Sequence, residues 1–225
     1  MERVREHLHA IRGLGLDTTI GHGASMHVVM AHPESFVPFD ENAPFDPQTV
    51  LGALPEGTHI RGMFFHTIRD AYRNAGLKPP EVPALPFAMG DRRRYLDLQL
   101  EATRMIYPGM ATGRALYHLG RRVYPDFSQT MIGKAIFALA GRSFTRIAQA
   151  GPRAYDASVS RGKAIVHDAR DGFIHIEMRD VWDFPPFACG IWQGAMDVCD
   201  VQPTSYEHCI PGPGHHHLKV AWEPK

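Results

Sequence analysis

The stretch that decides the predicted fold runs from Ala164 to Met178 and reads AIVHDARDGFIHIEM. Its Asp171-Gly172 pair lies between two apolar runs, which is the strongest short-range signal of a β-hairpin. Side chains of a strand point to opposite faces in turn, so we expect Ile165, His167, Ile174 and Ile176 to alternate with more polar or exposed neighbours. The sequence therefore predicts two antiparallel strands here.

Apolar periodicity on either side of this hairpin predicts the rest of the architecture. Downstream, Phe187 to Val198 predicts an amphipathic helix, and Thr204 to Ile210 and His215 to Trp222 predict two closing strands. Upstream, spacing at three and four residues predicts helices over Ile60–Gly76, Asp91–Tyr107, Thr112–Val123, Phe127–Leu139 and Phe144–Ala150. Helices followed by antiparallel strands indicate an α+β fold. We expect an N-terminal helical bundle packed on a C-terminal four-stranded antiparallel sheet of order β-β-α-β-β.

Composition excludes several classes of protein. The chain has 225 residues with 44% hydrophobic and 21% charged residues, close to globular norms, which argues against a disordered chain. No apolar run is long enough to span a bilayer, and the start lacks the apolar segment of a signal peptide. We therefore expect a cytoplasmic protein that has no contact with a membrane.

Charge is unevenly distributed although its sum is zero. Residues 61–161 hold 16 Lys and Arg against 7 Asp and Glu, and the remaining residues hold 8 against 17. The basic middle indicates a solvated helical face, complementarity between two halves of one domain, or a surface for an acidic partner. No aromatic stripe of the kind that stacks on bases accompanies Arg92–Arg94, so nucleic acid is not an expected partner.

Cysteine and histidine patterns give no metal or cofactor assignment. Three cysteines, spaced by ten residues, fit neither a disulfide framework nor zinc spacing, and we expect free thiols. His215-His216-His217 is the densest of the histidine clusters. On a strand His215 and His217 point one way and His216 the other, so two of them can share copper or zinc, with His208 or Cys209 as a third ligand. Surface histidines without metal are the preferred interpretation.

Aromatic and sulfur side chains suggest a ligand cavity between helices and sheet, where such folds bind small molecules. The residues predicted to line it are Phe64, Phe137, Phe144, Trp182, Phe184, Phe187, Trp192 and Met196. The alternative is a filled hydrophobic core. His66 and His118, each on an apolar helix, are candidates for an enzyme acting in the same cavity, but the common catalytic motifs are absent and acidic residues are sparse.

Several short motifs resemble a paralogous myxobacterial family of unknown function. They are Ile60–Phe65, Tyr107-Pro108, Leu119–Arg122, Tyr124–Phe127, Met131–Phe137 and Gly190–Cys199. The resemblance covers the chain from about Phe36 to its end. It implies a single α+β domain over residues 36–225, preceded by an N-terminal extension over residues 1–35.

The same segments are more distantly similar to the haem-based nitric-oxide/oxygen-binding (H-NOX) fold and to vinyl-reductase ligand-binding domains. Ile60–Gly76 resembles the opening helix of that fold, Leu119–Arg121 its central helix, and Gly190–Ala195 the helix between its last strands. The resemblance also implies a departure: the iron-ligating histidine falls near Phe144, whose phenyl ring cannot ligate iron. Haem is therefore not expected.

We expect a regulatory or small-molecule-sensing domain that binds an apolar ligand rather than an enzyme. A dimerising scaffold, as a homodimer, and a histidine-dependent enzyme in the same pocket are the alternatives. Fold alone does not determine function, so the ligand itself cannot be inferred from the resemblance.

Overall fold

A computed structural model of the chain describes residues 35–129 and 143–225, together with Lys134 and Gly141. The predicted extension lies outside the described residues, apart from Ser35. Phe137 also lies outside them. Described helices are α1 (Gln48–Leu51), α2 (Gly62–Asn74), α3 (Arg92–Ile106), α4 (Thr112–Arg121), α5 (Val123–Gln129), α6 (Phe144–Asp156) and α7 (Pro185–Val198). Described strands are β1 (Val37–Pro38), β2 (His59–Arg61), β3 (Met89–Asp91), β4 (Lys163–Arg170), β5 (Phe173–Arg179), β6 (Val201–Gly212) and β7 (His215–Pro224).

The main sheet is five-stranded and antiparallel, with the spatial order β1-β6-β7-β5-β4. A second sheet pairs β2 with β3. The described residues are α+β, but the predicted four-stranded sheet and its arrangement under the bundle are wrong. Strands β1, β2 and β3 have two or three residues each, too few to produce a detectable alternation of apolar and polar residues.

Two buried hydrophobic clusters hold these layers together. A helical cluster joins α2, α3 and α4 through side chains such as Phe65, Tyr95 and Leu116. A sheet cluster joins β5 and β7 to α6 and α7 through side chains such as Ile176 and Leu218. Helix α7 contributes Phe187 to the first cluster and Trp192 and Met196 to the second, so it lies between bundle and sheet.

Helices α4 and α7 cross at a distance that only glycine allows. An added Cβ at Gly190 would lie 2.1 Å from the carbonyl oxygen of Tyr117, and one at Gly120 would lie 2.1 Å from that of Phe187. A salt bridge fixes the same crossing, because Arg121 Nε of α4 donates to Asp197 Oδ2 of α7 at 2.6 Å. The backbones leave no room for a ligand between these two helices.

Helix α3 begins at an N-cap, since the Asp91 side chain accepts a hydrogen bond from the backbone N–H of Arg94 at 2.8 Å. The next residue is unexpected. Arg92 is buried, and its guanidinium pairs with Asp183 at 2.8 Å and donates to the carbonyl of Trp182 at 3.0 Å. Arg92, a residue of the basic middle, therefore links α3 to the loop that precedes Pro185, inside the protein.

Candidate metal centre on the outer face of the sheet

The residues predicted to line a ligand cavity do not form one group. Phe64, Trp182, Phe184 and Phe187 belong to or pack against the helical cluster. Phe144, Trp192 and Met196 belong to the sheet cluster, on the other side of α7. Phe137 lies outside the described residues. The seven described side chains are thus divided between two packed clusters. A single cavity lined by all eight predicted residues stays a prediction.

Two surface depressions occur elsewhere in the part of the chain that the structure describes. One, of about 210 Å³, is lined by residues 54–58 with Asp91 and Arg93. The other, of about 300 Å³, lies between Asp70, Asn74, Asp126 and Gln129. Neither includes any of the predicted aromatic residues.

Phe144 provides the test of whether haem fits. Its side chain is buried and packs edge-on against Trp222, with ring centroids 4.8 Å apart, and against Trp192 at 6.3 Å. A phenyl ring carries no ligand atom for iron, and the space around it is filled by two indoles. The described residues at this position do not fit haem.

Polar chemistry is concentrated instead on the opposite face of the main sheet. Along β5, Ile174, Ile176 and Met178 are buried in the sheet cluster, so His175 and Glu177 point to the other face. In register with them, His217 of β7 lies opposite Glu177, and His215 lies opposite Arg179. We call His167, His175, Glu177, His215 and His217 the outer cluster.

A β-bulge adds the remaining histidine to this group. Val166 pairs with Ile176 and Asp168 pairs with His175, which leaves His167 as an extra residue of β4. Bulges of this kind redirect a side chain. The His167 ring lies 4.7 Å from that of His175 and its Nε2 lies 2.8 Å from Glu177 Oε2. The bulge thus turns His167 onto the outer face.

Glu177 is the centre of the outer cluster. Its side chain is only 2% exposed, yet it accepts hydrogen bonds from Arg179, from His167 Nε2 at 2.8 Å and from His215 Nε2 at 2.9 Å. Burial would raise the pKa of this carboxyl, but the hydrogen bonds outweigh it and lower the pKa to about 2. Glu177 is therefore a carboxylate at any physiological pH.

Three ligand atoms converge at one corner of the outer cluster. His215 Nε2 lies 2.9 Å from both Glu177 Oε1 and His217 Nε2, and His217 Nε2 lies 3.8 Å from Glu177 Oε1. When His215 Nε2 donates to Glu177 Oε1 it has no lone pair left to accept with, so its contact with His217 Nε2 can only share the same N–H. Ligand atoms about 2.1 Å from a tetrahedral zinc ion stand roughly 3.3 Å apart, which these distances bracket.

His175 extends the site. His167, His175 and His217 can also present ligand atoms that all lie within 4.8 Å of one another. Burial and the neighbouring His167 lower the pKa of His175 to about 4, and its buried Nε2 has no hydrogen-bond partner among the described residues. A neutral imidazole with an unused ring nitrogen is the form that binds metal.

Phe36 covers the outer cluster from the edge of the domain. Its ring meets those of His175 and His217 edge-on, with centroids 5.6 and 6.2 Å away, and the ammonium of Lys219 lies 3.6 Å from its centroid. An aromatic cover excludes water on one side and makes charge interactions beneath it stronger.

Sequence reasoning found only part of this site. It identified His215 and His217 and their shared direction, and the structure agrees, since His216 points to the opposite face beside Cys189. Of the two proposed third ligands, Cys209 lies opposite His217 in the strand register, and His208 is grouped with Cys189 and His216. Glu177, His167 and His175 were missed as ligands. Their signal was the pairing of three histidine-bearing strands, β4, β5 and β7, but strand order and the bulge are not visible in one sequence.

The two histidines considered for catalysis have separate partners. His66 Nε2 lies 2.7 Å from the carbonyl oxygen of Pro83. His118 Nε2 lies 3.8 Å from Glu41 Oε2, and its ring is next to Tyr107 and Tyr117. Each ring is held by its surroundings, and neither belongs to the outer cluster.

Comparison with known proteins identifies the family. Residues 54–223 match the family described as "Protein of unknown function (DUF2378)", and the chain belongs to it. This confirms the resemblance to a family of unknown function, whereas its myxobacterial origin stays a prediction. No curated protein matches the chain.

Solved H-NOX structures are similar to the chain. An H-NOX protein from S. oneidensis in the Fe(II) ligation state, a triple mutant, is 11% identical with a TM-score of 0.51, over 74% of this chain and 97% of that chain. The S. oneidensis protein in the Fe(II)NO ligation state is 10% identical with a TM-score of 0.51, over 73% and 99%. A point mutant of Tt H-NOX is 14% identical with a TM-score of 0.50, over 73% and 94%. The distant resemblance to the H-NOX fold is confirmed. At such low sequence identities the similarity concerns the fold alone.

No helix among the described residues is long and apolar enough to cross a membrane.

Proposed function

We propose that the chain is a cytoplasmic regulatory domain that senses a small ligand without haem, and that this ligand is a divalent transition-metal ion bound by the outer cluster. The convergence of Glu177 Oε1, His215 Nε2 and His217 Nε2 at separations of 2.9 to 3.8 Å carries the proposal. The H-NOX-like fold supports a sensing role, and Phe144 opposes haem as the means of sensing.

The donor set favours zinc among the common divalent ions. Imidazole nitrogen and carboxylate oxygen are both ordinary zinc ligands, and three protein ligands leave one position for water or an effector. His167 supports the carboxylate ligand, because it holds Glu177 Oε2 at 2.8 Å while Oε1 faces the two other histidines. Such supporting contacts orient a metal ligand and raise its affinity.

Isothermal titration of the purified full-length protein with Zn²⁺ tests the proposal. Wild type should bind one ion at this site, and the double variant His215→Ala with His217→Ala should lose that binding event. His118→Ala is the matched control, because this histidine is also next to a glutamate but lies outside the outer cluster. Equal zinc uptake by wild type and double variant, or none by wild type, would contradict the proposal.

Absorption spectroscopy tests the haem-free part separately. Protein purified from cells supplied with haem precursors should show no Soret band, and added haemin should not bind stoichiometrically. A sharp Soret band that disappears in His118→Ala would show that haem is bound through another histidine, and the haem-free assignment would then be wrong.

A further inference from the structure

A second group of ligand atoms lies on the inner face of the sheet. Cys189, His208 and His216 each offer one ligand atom, and these atoms all lie within 4.8 Å of one another. We call these three residues the inner triad. They come from three elements, α7, β6 and β7, and none of them belongs to the outer cluster.

Strand alternation explains why the inner triad exists. His216 has the same parity along β7 as the buried residues Leu218 and Val220, so it points toward α7. His208 lies opposite Leu218 in the β6–β7 register and therefore shares that face. Cys189 reaches them from α7, where its carbonyl oxygen accepts a hydrogen bond from Tyr206 Oη at 2.5 Å.

The two imidazoles carry unused ring nitrogens. His216 is only 5% exposed, and its buried Nε2 has no hydrogen-bond partner among the described residues. The buried Nδ1 of His208 likewise has none. Leaving a buried polar atom without a partner costs free energy, so two such atoms in one triad with a thiol indicate a ligand that completes their bonding.

All three residues of the inner triad lie wholly or partly out of contact with solvent. Burial lowers the pKa of His216 to about 3, and burial also lowers the pKa of His208. Burial raises the pKa of the Cys189 thiol to about 12, despite an opposing contribution from Tyr206. A metal ion that binds the Cys189 sulfur displaces the thiol proton.

We infer that the inner triad binds one monovalent copper ion through Cys189 Sγ and one ring nitrogen each of His208 and His216. Charge decides between copper and zinc. A thiolate, two neutral imidazoles and Cu⁺ sum to zero, whereas Zn²⁺ in the same place leaves an unpaired positive charge in a buried site, which is costly. Thiolate is also a soft ligand that selects Cu⁺.

Binding is a simple exchange of a proton for a metal ion. The S–H bond of Cys189 breaks, a Cu–S bond forms, and one proton leaves to solvent, with no change in oxidation state. His208 is partly exposed and lies on β6 beside the edge strand β1, opposite Val37.

Competition with a chromophoric chelator under nitrogen tests this inference on the full chain. Wild type should withdraw one equivalent of Cu⁺ from its bicinchoninate complex, whereas Cys189→Ser should withdraw at least tenfold less. Cys199→Ser is the matched control, because Cys199 lies ten residues farther on and is also buried, and it should behave as wild type. Equal withdrawal by wild type and Cys189→Ser, or none by wild type, would overturn the inference.

Two further arms keep the result specific. If Cys189→Ser does not fold, as judged by circular dichroism, His208→Gln replaces it, because this half-buried position leaves the thiol in place and should also withdraw at least tenfold less Cu⁺. The double variant His215→Ala with His217→Ala should withdraw Cu⁺ like wild type, so this inference can fail independently of the zinc proposal. Zinc binding that depends on Cys189, without Cu⁺ binding, would overturn the choice of metal.

Discussion

The inner and outer faces of the main sheet differ although the same strands build both. Along β5, Ile174, Ile176 and Met178 are closed off by α6 and α7, whereas His175 and Glu177 face outward among other histidines. The difference shows that one strand can contribute to a core and to a polar site at once. It also shows that substitutions in the outer cluster should alter zinc binding with little effect on folding, whereas substitutions of the packed apolar residues on the inner face should mainly lower stability.

The largest expected loss of stability comes from Phe144→Ala on the inner side. Removing a buried phenyl ring that packs against Trp192 and Trp222 leaves a cavity, and we expect the free energy of unfolding to fall by about 3–5 kcal/mol. Urea denaturation measures this, with Phe144→Leu as a milder control. A loss below about 1 kcal/mol would show that this ring does not fill the interior.

A second inner-side test is Gly190→Ala. Its Cβ would collide with the backbone of α4, since the carbonyl oxygen of Tyr117 would be 2.1 Å away, and we expect a loss of about 3 kcal/mol. Gly151→Ala, within helix α6, is the control, because outside its own helix the added Cβ would contact only the side chain of Trp192, at 3.5 Å. There we expect a change of less than about 1 kcal/mol, because the gain in helix propensity is offset by contact of the new methyl group with the ring of Pro152. Equal effects in the two variants would contradict the tight crossing.

Asp197→Asn probes the salt bridge at this crossing and gives a pH signature. Burial would raise the pKa of Asp197, but hydrogen bonds from Arg121 and Lys225 outweigh it and lower the pKa below its ordinary value of 3.8. The ionised form is favoured on folding, so its contribution is fully present above pH 3.8 and is lost as the pH falls through the lower folded pKa. We expect a cost of about 1–2 kcal/mol at pH 7.

Denaturation curves at several pH values check this expectation. Wild type and Asp197→Asn should converge in stability as the pH falls below the folded pKa of Asp197. A difference that stays constant from neutral to acidic pH would mean that the carboxylate charge is not what stabilises the α4–α7 crossing.

The smallest effect on stability is expected on the outer face. His215→Ala without metal should cost less than about 1 kcal/mol, because His215 is one third exposed and Glu177 keeps its bonds to Arg179 and His167. Thermal unfolding in the presence of a chelator measures this. A loss as large as that of Phe144→Ala would show that the outer face is structural and would remove the contrast between the two faces.

Sequence reasoning reached the hairpin and the helices α2, α3, α4 and α7, but not the sheet as a whole. Asp171-Gly172 and the apolar runs beside it are local signals, and they predicted β4 and β5. Asp91 and Ser143 cap α3 and α6, and aspartate and serine are common N-cap residues. Strand β1 has two residues, one of them Pro38, and it is held by pairing to β6, about 170 positions later in the chain, so no local pattern shows it.

Part of the candidate site was accessible in the same way and part was not. Alternation within β7 correctly separated His215 and His217 from His216. The predicted alternation in β4 was less successful, because Ile165 lies opposite Glu177 and Val166 lies opposite Ile176. Glu177 was missed because a single glutamate between apolar residues is read as a solvated side chain, whereas tertiary pairing buries it among histidines.

Anomalous diffraction at the zinc absorption edge, from crystals grown with Zn²⁺, tests the central claim most directly. The account predicts one peak on the outer face, about 2.0–2.2 Å from Glu177 Oε1, His215 Nε2 and His217 Nε2. A peak elsewhere, with these three side chains still in contact with one another only, would contradict it.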